Sequence, residues 1–253
     1  MIDEKLMRCF MEIAERMISA GAEVYRVEES LSYMCKAYGA VRADAFVTTS
    51  NMTLNVERED GTALFEGRRV RVNGFDVECI DCLNNIIRFI SKNRPDVSVI
   101  EEKLEQAKDY PKYKSWQHLF FCMIITCSFT VFFGSRDLVE IGLSAIIGAL
   151  VGIVDSLTKR VNMNGMMIRF LCSALFSLMT FFSVKLGLVP NPDYIIMGNI
   201  MTLIPGCGIT NALRDLFTGD TFTGIHRTIE AVLYAGSMAL GYIAVAYLFG
   251  GAL

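Results

Sequence analysis

Histidine is nearly missing from this chain of 253 residues: it has two, His118 and His226, and neither lies in the first 115 positions. The most polar stretch therefore lacks the commonest general base. There is no Walker loop, G-x-S-x-G, H-E-x-x-H or dinucleotide glycine pattern, so no catalytic signature is present. A net charge of −3 offers no case for nucleic-acid binding. The start, MIDEKLMRCF, is acidic from its third residue and has no apolar core, which is unlike a cleavable signal peptide. Charge itself runs short after residue 115. Residues 1–115 carry 17 Lys/Arg and 20 Asp/Glu, whereas the remaining 138 carry only 7 of each sign. Long charge-poor stretches point to a bilayer.

The charge-poor part contains five candidate membrane spans, at about 116–134, 138–157, 165–186, 194–213 and 228–250, each close to the ~20 residues that cross a hydrocarbon core. The expected fold is thus a multi-pass α-helical membrane protein with five transmembrane helices (116–253) behind an N-terminal cytosolic α+β domain (1–115). Lys108, Lys112 and Lys114 precede the first span. Lys159 and Arg160 lie between spans two and three, and Arg214 and Arg227 between spans four and five. The opposite side has Arg136 and Lys185 only. Positive charge predicts a cytosolic N-terminus, an outer C-terminus and an inner 213–227 loop. Trp116 and Tyr194 suit membrane interfaces, and Gly148-Ala-Leu-Val-Gly152 in span two permits close helix approach.

In the first 115 residues, Leu6, Phe10, Ile13 and Met17 recur at helical spacing, and Val24, Val27, Leu31 and Met34 mark a second helix ending at Gly39. Alternation predicts strands near 41–49, 52–57 and 62–72, with a turn at Glu59-Asp-Gly61. Helices about 76–93 and 97–108 follow, divided by Pro95. Cys79-Ile-Asp-Cys82 has the CxxC spacing, but four ligands are needed for zinc and both histidines are far along the chain. Small buried hydrophobes are the simpler reading, so no metal or cofactor is expected. Arg68-Arg69-Val-Arg71 is too short a run to argue for phosphate binding.

The stretch LIPGCGITNALRDLFTGDTFTG, residues 203–224, begins inside span four and ends in polar residues. Pro205 and Gly206 should break that span, since proline removes a donor and glycine weakens a helix. Backbone groups freed in lipid need partners from protein or from a wet cavity. Asn199 and Thr202, three apart on one face, can supply them or can meet a polar solute. With Asn211, Arg214, Asp215 and Asp220 alongside, the break suggests a substrate pathway; a kink with a capped loop is the plain alternative. Intramembrane charge is costly, which makes Asp155 a candidate for proton coupling and allows an ion pair with Arg169.

Four segments then resemble the threonine/serine exporter family: SAGAEVYRVEESLSYMCKAYGA, RRVRVNGFDVECIDCLNNIIRFI, LFFCMIITCSFTVFFGSRDLVE and, most specifically, LIPGCGITNALRDLFTGDTFTGIHRTIEA. In the last, Pro205, Gly206, Asn211, Arg214, Asp215, Gly219, Asp220, Gly224 and Arg227 stand at family-like positions. The resemblance implies an inner-membrane exporter of small polar metabolites and no enzyme. Fused members carry a second hydrophobic half, so a chain ending at Leu253 resembles the large subunit of the split type, which works with a separate small membrane protein. That type is linked to dicarboxylate (succinate) export, and others to threonine and serine. The expectation is a secondary exporter subunit in contact with membrane lipid, a small hydrophobic partner and a polar solute. Arg214 would then pair with the solute's carboxylate or with Asp215 and Asp220 as a gate. The alternatives are a membrane-anchored sensor or assembly scaffold and, less suited to the residues, a membrane-embedded enzyme.

Overall fold

The computed structural model describes residues 2–71, 74–108, 114–161 and 163–249. Lys112 and the side chains of Lys159 and Arg160, part of the orientation argument, lie outside what is described, as does Gly250 at the expected end of span five. The described chain is mostly helical and divides into two compact units. One comprises Met1–Pro111 with Gly206–Thr228, the other Lys112–Pro205 with Ile229–Leu253. The sequence division at residue 115 groups 206–228 with the apolar part. The structure packs it with the N-terminal residues.

In the first unit, α1 (Glu4–Ser19) starts where the Asp3 carboxylate accepts the Leu6 amide at 2.8 Å, and α2 (Val24–Ala37) follows a tight turn. Strands β1 (Arg42–Val47), β2 (Asn51–Glu57) and β3 (Ala63–Arg69) form an antiparallel sheet in that order. The period-two pattern of β2 buries Met52, Leu54 and Val56 and turns their neighbours outward. Helix α3 (Val77–Asn93) is capped by Asp76, and α4 (Val97–Gln106) follows Pro95. Phe10, Ile13, Leu31, Met34, Leu54 and Ile90 meet in one core, which joins α1, α2, the sheet and α3.

The second unit contains α5 (Ser115–Phe132), α6 (Leu138–Arg160), α7 (Gly165–Lys185) and α8 (Asp193–Ile200). Helix α9 (Gly206–Thr218) belongs to the first unit, and α10 (Thr221–Leu248) contributes its first eight residues there and the rest to the second. By length and composition, three helices can cross a membrane, over Leu138–Thr158, Gly165–Lys185 and Thr221–Leu248; Trp116–Phe132 is apolar but shorter. The segment expected as span four is not one helix. It is α8, of 8 residues, then a turn over 201–205, then α9, of 13 residues. Pro205 lacks the amide that would bond the Met201 carbonyl and carry a helix through the turn, and α9 restarts immediately after it. The expected 213–227 loop is likewise mostly helical.

Candidate functional site

The second unit buries a seam of hydroxyl and amide groups among apolar helices. Thr126 and Thr130 are one turn apart on α5, Ser144 stands on α6, and Asn199 sits one residue before the end of α8; all four are 0% exposed. Thr130 Oγ1 is 2.7 Å from Ser144 Oγ, and Asn199 Nδ2 donates to Ser144 Oγ at 3.1 Å. Asn199 Nδ2 also donates to the Ile195 carbonyl at 2.9 Å, while Thr202 Oγ1 donates to the Asn199 carbonyl at 2.7 Å. Glycine lets the helices come this close. A Cβ at Gly148 would stand 2.4 Å from Thr126 Oγ1, and one at Gly198 would stand 2.1 Å from Thr130 Oγ1. A second buried polar pair lies at the start of α6, where Ser135 Oγ donates to Glu140 Oε2 at 2.6 Å. Inside an apolar helical unit such groups are retained only where partners satisfy them.

The first unit holds a different constellation, around the turn between α1 and α2. Gly21 has φ +84, and a Cβ there would meet the Gly74 carbonyl at 2.9 Å, so the turn admits little but glycine. Its carbonyls are taken in succession by distant segments. Ala20 O receives the Asp76 amide at 2.9 Å, Gly21 O receives Asn211 Nδ2 at 2.9 Å, and Ala22 O receives Arg227 Nη2 at 2.9 Å. Arg214 pairs with Glu23, which opens α2. Asp215 Oδ2 lies 2.9 Å from Arg227 Nη1, both side chains being almost wholly buried. Burial pushes the Asp215 carboxyl above its usual range, against the opposing pull of Arg227 and of the Val24 backbone amide. Glu28 is also raised by burial and by the nearby charge of Asp220, although its Oε1 accepts the Val47 amide at 2.8 Å.

The expected pathway residues thus fall into two groups. Asn199, Thr202 and Pro205 belong to the second unit, Asn199 and Thr202 around the hydroxyl seam. Gly206, Asn211, Arg214, Asp215 and Asp220 belong to the first, where Asn211, Arg214 and Asp215 hold the α1–α2 turn. Arg214 pairs with Glu23 and Arg227 takes Asp215, because adjacent positions on α9 point about 100° apart. On α7, Arg169 lies over the Tyr234 ring at 3.7 Å and donates to the Gly165 carbonyl at 3.1 Å. Asp155 stands half-buried on α6. Sequence reasoning missed Thr126, Thr130, Ser144 and Glu140 as parts of any site. The usable signal was spacing: Thr126 and Thr130 are four apart, as are Ser144, Gly148 and Gly152. A cleft of about 450 Å³ opens beside α2 and β1, lined by Tyr25, Glu28, Tyr33, Lys36 and Asp44 among others. Among the described residues no three His, Cys, Asp or Glu side chains gather as a metal site.

A sequence model of the family described as "Putative threonine/serine exporter" matches residues 8–249, spanning both units and both polar constellations. No curated protein and no solved structure matches the chain. On a match of that extent, covering every described helix and strand but the first turn of α1, the chain is a member of the threonine/serine exporter family.

Proposed function

We propose that the chain is the large subunit of a secondary exporter that moves small carboxylated metabolites out of the cell, with a separate small hydrophobic subunit completing the path. The observation that carries this reading is the buried hydroxyl–amide seam of Thr130, Ser144 and Asn199, which adjoins the interruption between α8 and α9. Interrupted helices with polar neighbours are the recurring design of transporter binding sites. In this reading Asn199 and Thr202 meet the solute, Pro205 and Gly206 keep the segment unwound, and Asp155 relays the driving proton. Asn211, Arg214, Asp215 and Asp220 form the fixed collar of a cytosolic vestibule.

The orientation has its own support. Residues 1–111 and 206–228 share one compact unit, which supports reading them as lying on one side of the bilayer. Lys108, Arg214 and Arg227 belong to that unit, and positive charge of this kind supports reading its side as the cytosolic one. Three helices are long and apolar enough to cross; the five crossings of this reading also use α5 and the interrupted segment around α8, a helix of only 8 residues.

The test is efflux from native-host cells. Cells with the gene deleted or intact are loaded with labelled threonine, serine or succinate. Deletion is expected to slow efflux of at least one of them severalfold, and Asp155→Asn to slow it while the protein still inserts. Equal efflux of all three solutes with and without the gene contradicts the reading and leaves a sensor or scaffold in its place.

A further inference from the structure

Helix α9 is amphipathic the wrong way round for a helix in water. Asn211 and Asp215, four apart, point into the first unit, where Asn211 bonds the Gly21 carbonyl and Asp215 is fully buried beside Arg227. Ala212 is buried with them. The opposite face carries Ile209, Leu213 and Phe217, again four apart, and all three are exposed, Phe217 to 87%. A helix that meets water turns its polar stripe outward. In α9 the polar stripe is inside and the apolar one outside.

The apolar stripe does not stop there. Gly219, at φ +99, turns the chain into α10, and Leu216 packs where a Cβ at Gly224 would stand 2.6 Å from its Cγ. The first turns of α10 expose Phe222, Ile225 and Ile229 on one face, Phe222 to 74%. The same face continues through Val232, Leu240 and Ile243, which are exposed as well. With 28 residues α10 is about 42 Å long, against a hydrocarbon core of about 30 Å. His226, Arg227 and Glu230 all lie near its first end, so that end holds the excess length and belongs in the headgroup layer.

A contiguous exposed apolar patch marks a membrane or a protein contact, and continuity decides between them here. The α10 part of the stripe belongs to a helix that can cross a bilayer, so lipid is its neighbour, and the α9 part adjoins it. At 13 residues, about 20 Å, α9 is too short to cross, and the turn over 201–205 parts it from α8. We propose that α9 is an interfacial helix, whose Ile209, Leu213 and Phe217, with Phe222 and Ile225 of α10, sink about 5–10 Å into the headgroup–acyl boundary. Its other face holds Gly21 and Glu23, so it moors the α1–α2 turn to the membrane surface. The mooring needs a bilayer and no particular solute, so it goes beyond the exporter reading and stands apart from it.

The test uses the purified full-length chain, with no other protein, in phosphatidylcholine vesicles. Trp116, the single tryptophan, is replaced by Phe, and a tryptophan is returned as Phe217→Trp or, for comparison, as Phe65→Trp on β3. Both phenylalanines are exposed, so tryptophan fits at either place. The acyl chains carry bromine near the headgroup, near the bilayer centre, or not at all, and bromine quenches tryptophan on contact. The Phe217→Trp chain is expected to lose severalfold more emission to bromine near the headgroup than the Phe65→Trp chain does, and less to bromine at the centre. A loss no greater than that of Phe65→Trp overturns the proposal, since α9 then faces water or protein. Strongest quenching by central bromine also overturns it, because α9 then lies across the hydrocarbon core.

Discussion

At the scale of single residues, the Asp215–Arg227 pair is the most consequential contact of the first unit, because both side chains have left water. Asp215 is 0% and Arg227 9% exposed. Removing one partner of a buried pair leaves an uncompensated charge and costs about 3–5 kcal/mol. By contrast the Arg214–Glu23 pair is half in solvent and contributes little. Arg227→Met is therefore expected to lower thermal stability far more than Arg214→Met. The pH dependence has a defined sign. Burial raises the folded pKa of Asp215 above its unfolded value, so the folded state holds that proton the more tightly. Ionising it costs stability as pH climbs from the ordinary carboxylate value toward the raised one. Without Arg227 that cost grows. The deficit of Arg227→Met should widen between about pH 4 and neutrality, and Asp215→Asn should remove most of it. Melts of the purified protein across that range check this, and a deficit that shrinks as pH rises contradicts it.

Among elements, close approach of α6 and α8 to α5 builds the seam, and glycine decides it. At Gly148 the three nearest atoms to an added Cβ all belong to the Thr126 side chain, the closest at 2.4 Å. At Gly198 two of the three are backbone, Thr126 O at 2.9 Å and Thr130 N at 3.0 Å. Overpacking of this kind costs about 1–3 kcal/mol. Gly148→Ala should thus destabilise the protein and be rescued by Thr126→Ala, while Gly198→Ala should resist rescue by Thr130→Ala. Thermal midpoints of the four chains decide it; equal rescue at both positions would mean that backbone contact is not what limits α8.

Element boundaries were legible in the sequence wherever local chemistry sets them. Asp3 and Asp76 cap the helices that their positions announce, Gly21 and Gly39 end helices at positive φ, and Pro205 immediately precedes the start of α9. The seam was less legible. Its four contributors look like ordinary small polar residues until α5, α6 and α8 are brought together, and nothing in the spacing of one helix says which neighbour it will face.

For the whole molecule, composition marked the change from charged to apolar chain near residue 115, and the family resemblance was visible in four quoted segments. The allegiance of 206–228 was hidden. LIPGCGITNALRDL continues the apolar run of α8, so hydropathy assigns it to a span. The contacts that hold it run instead to Gly21, Ala22 and Glu23, some 190 to 205 positions away in the chain. Pairings at that distance have no local signal. They also give the N-terminal unit a physical part in the account: it fixes α9 on one side of the interruption at Pro205, while α8 and Asn199 lie on the other.

The most direct test of that account is counterflow in proteoliposomes holding the purified chain together with the small hydrophobic subunit proposed above, loaded with unlabelled serine and diluted into labelled serine. Transient uptake of label by the wild-type pair, lost with Asn199→Leu and absent when the vesicles contain the chain alone, is the predicted result. Vesicles with the wild-type pair that take up no more label than empty ones would contradict it.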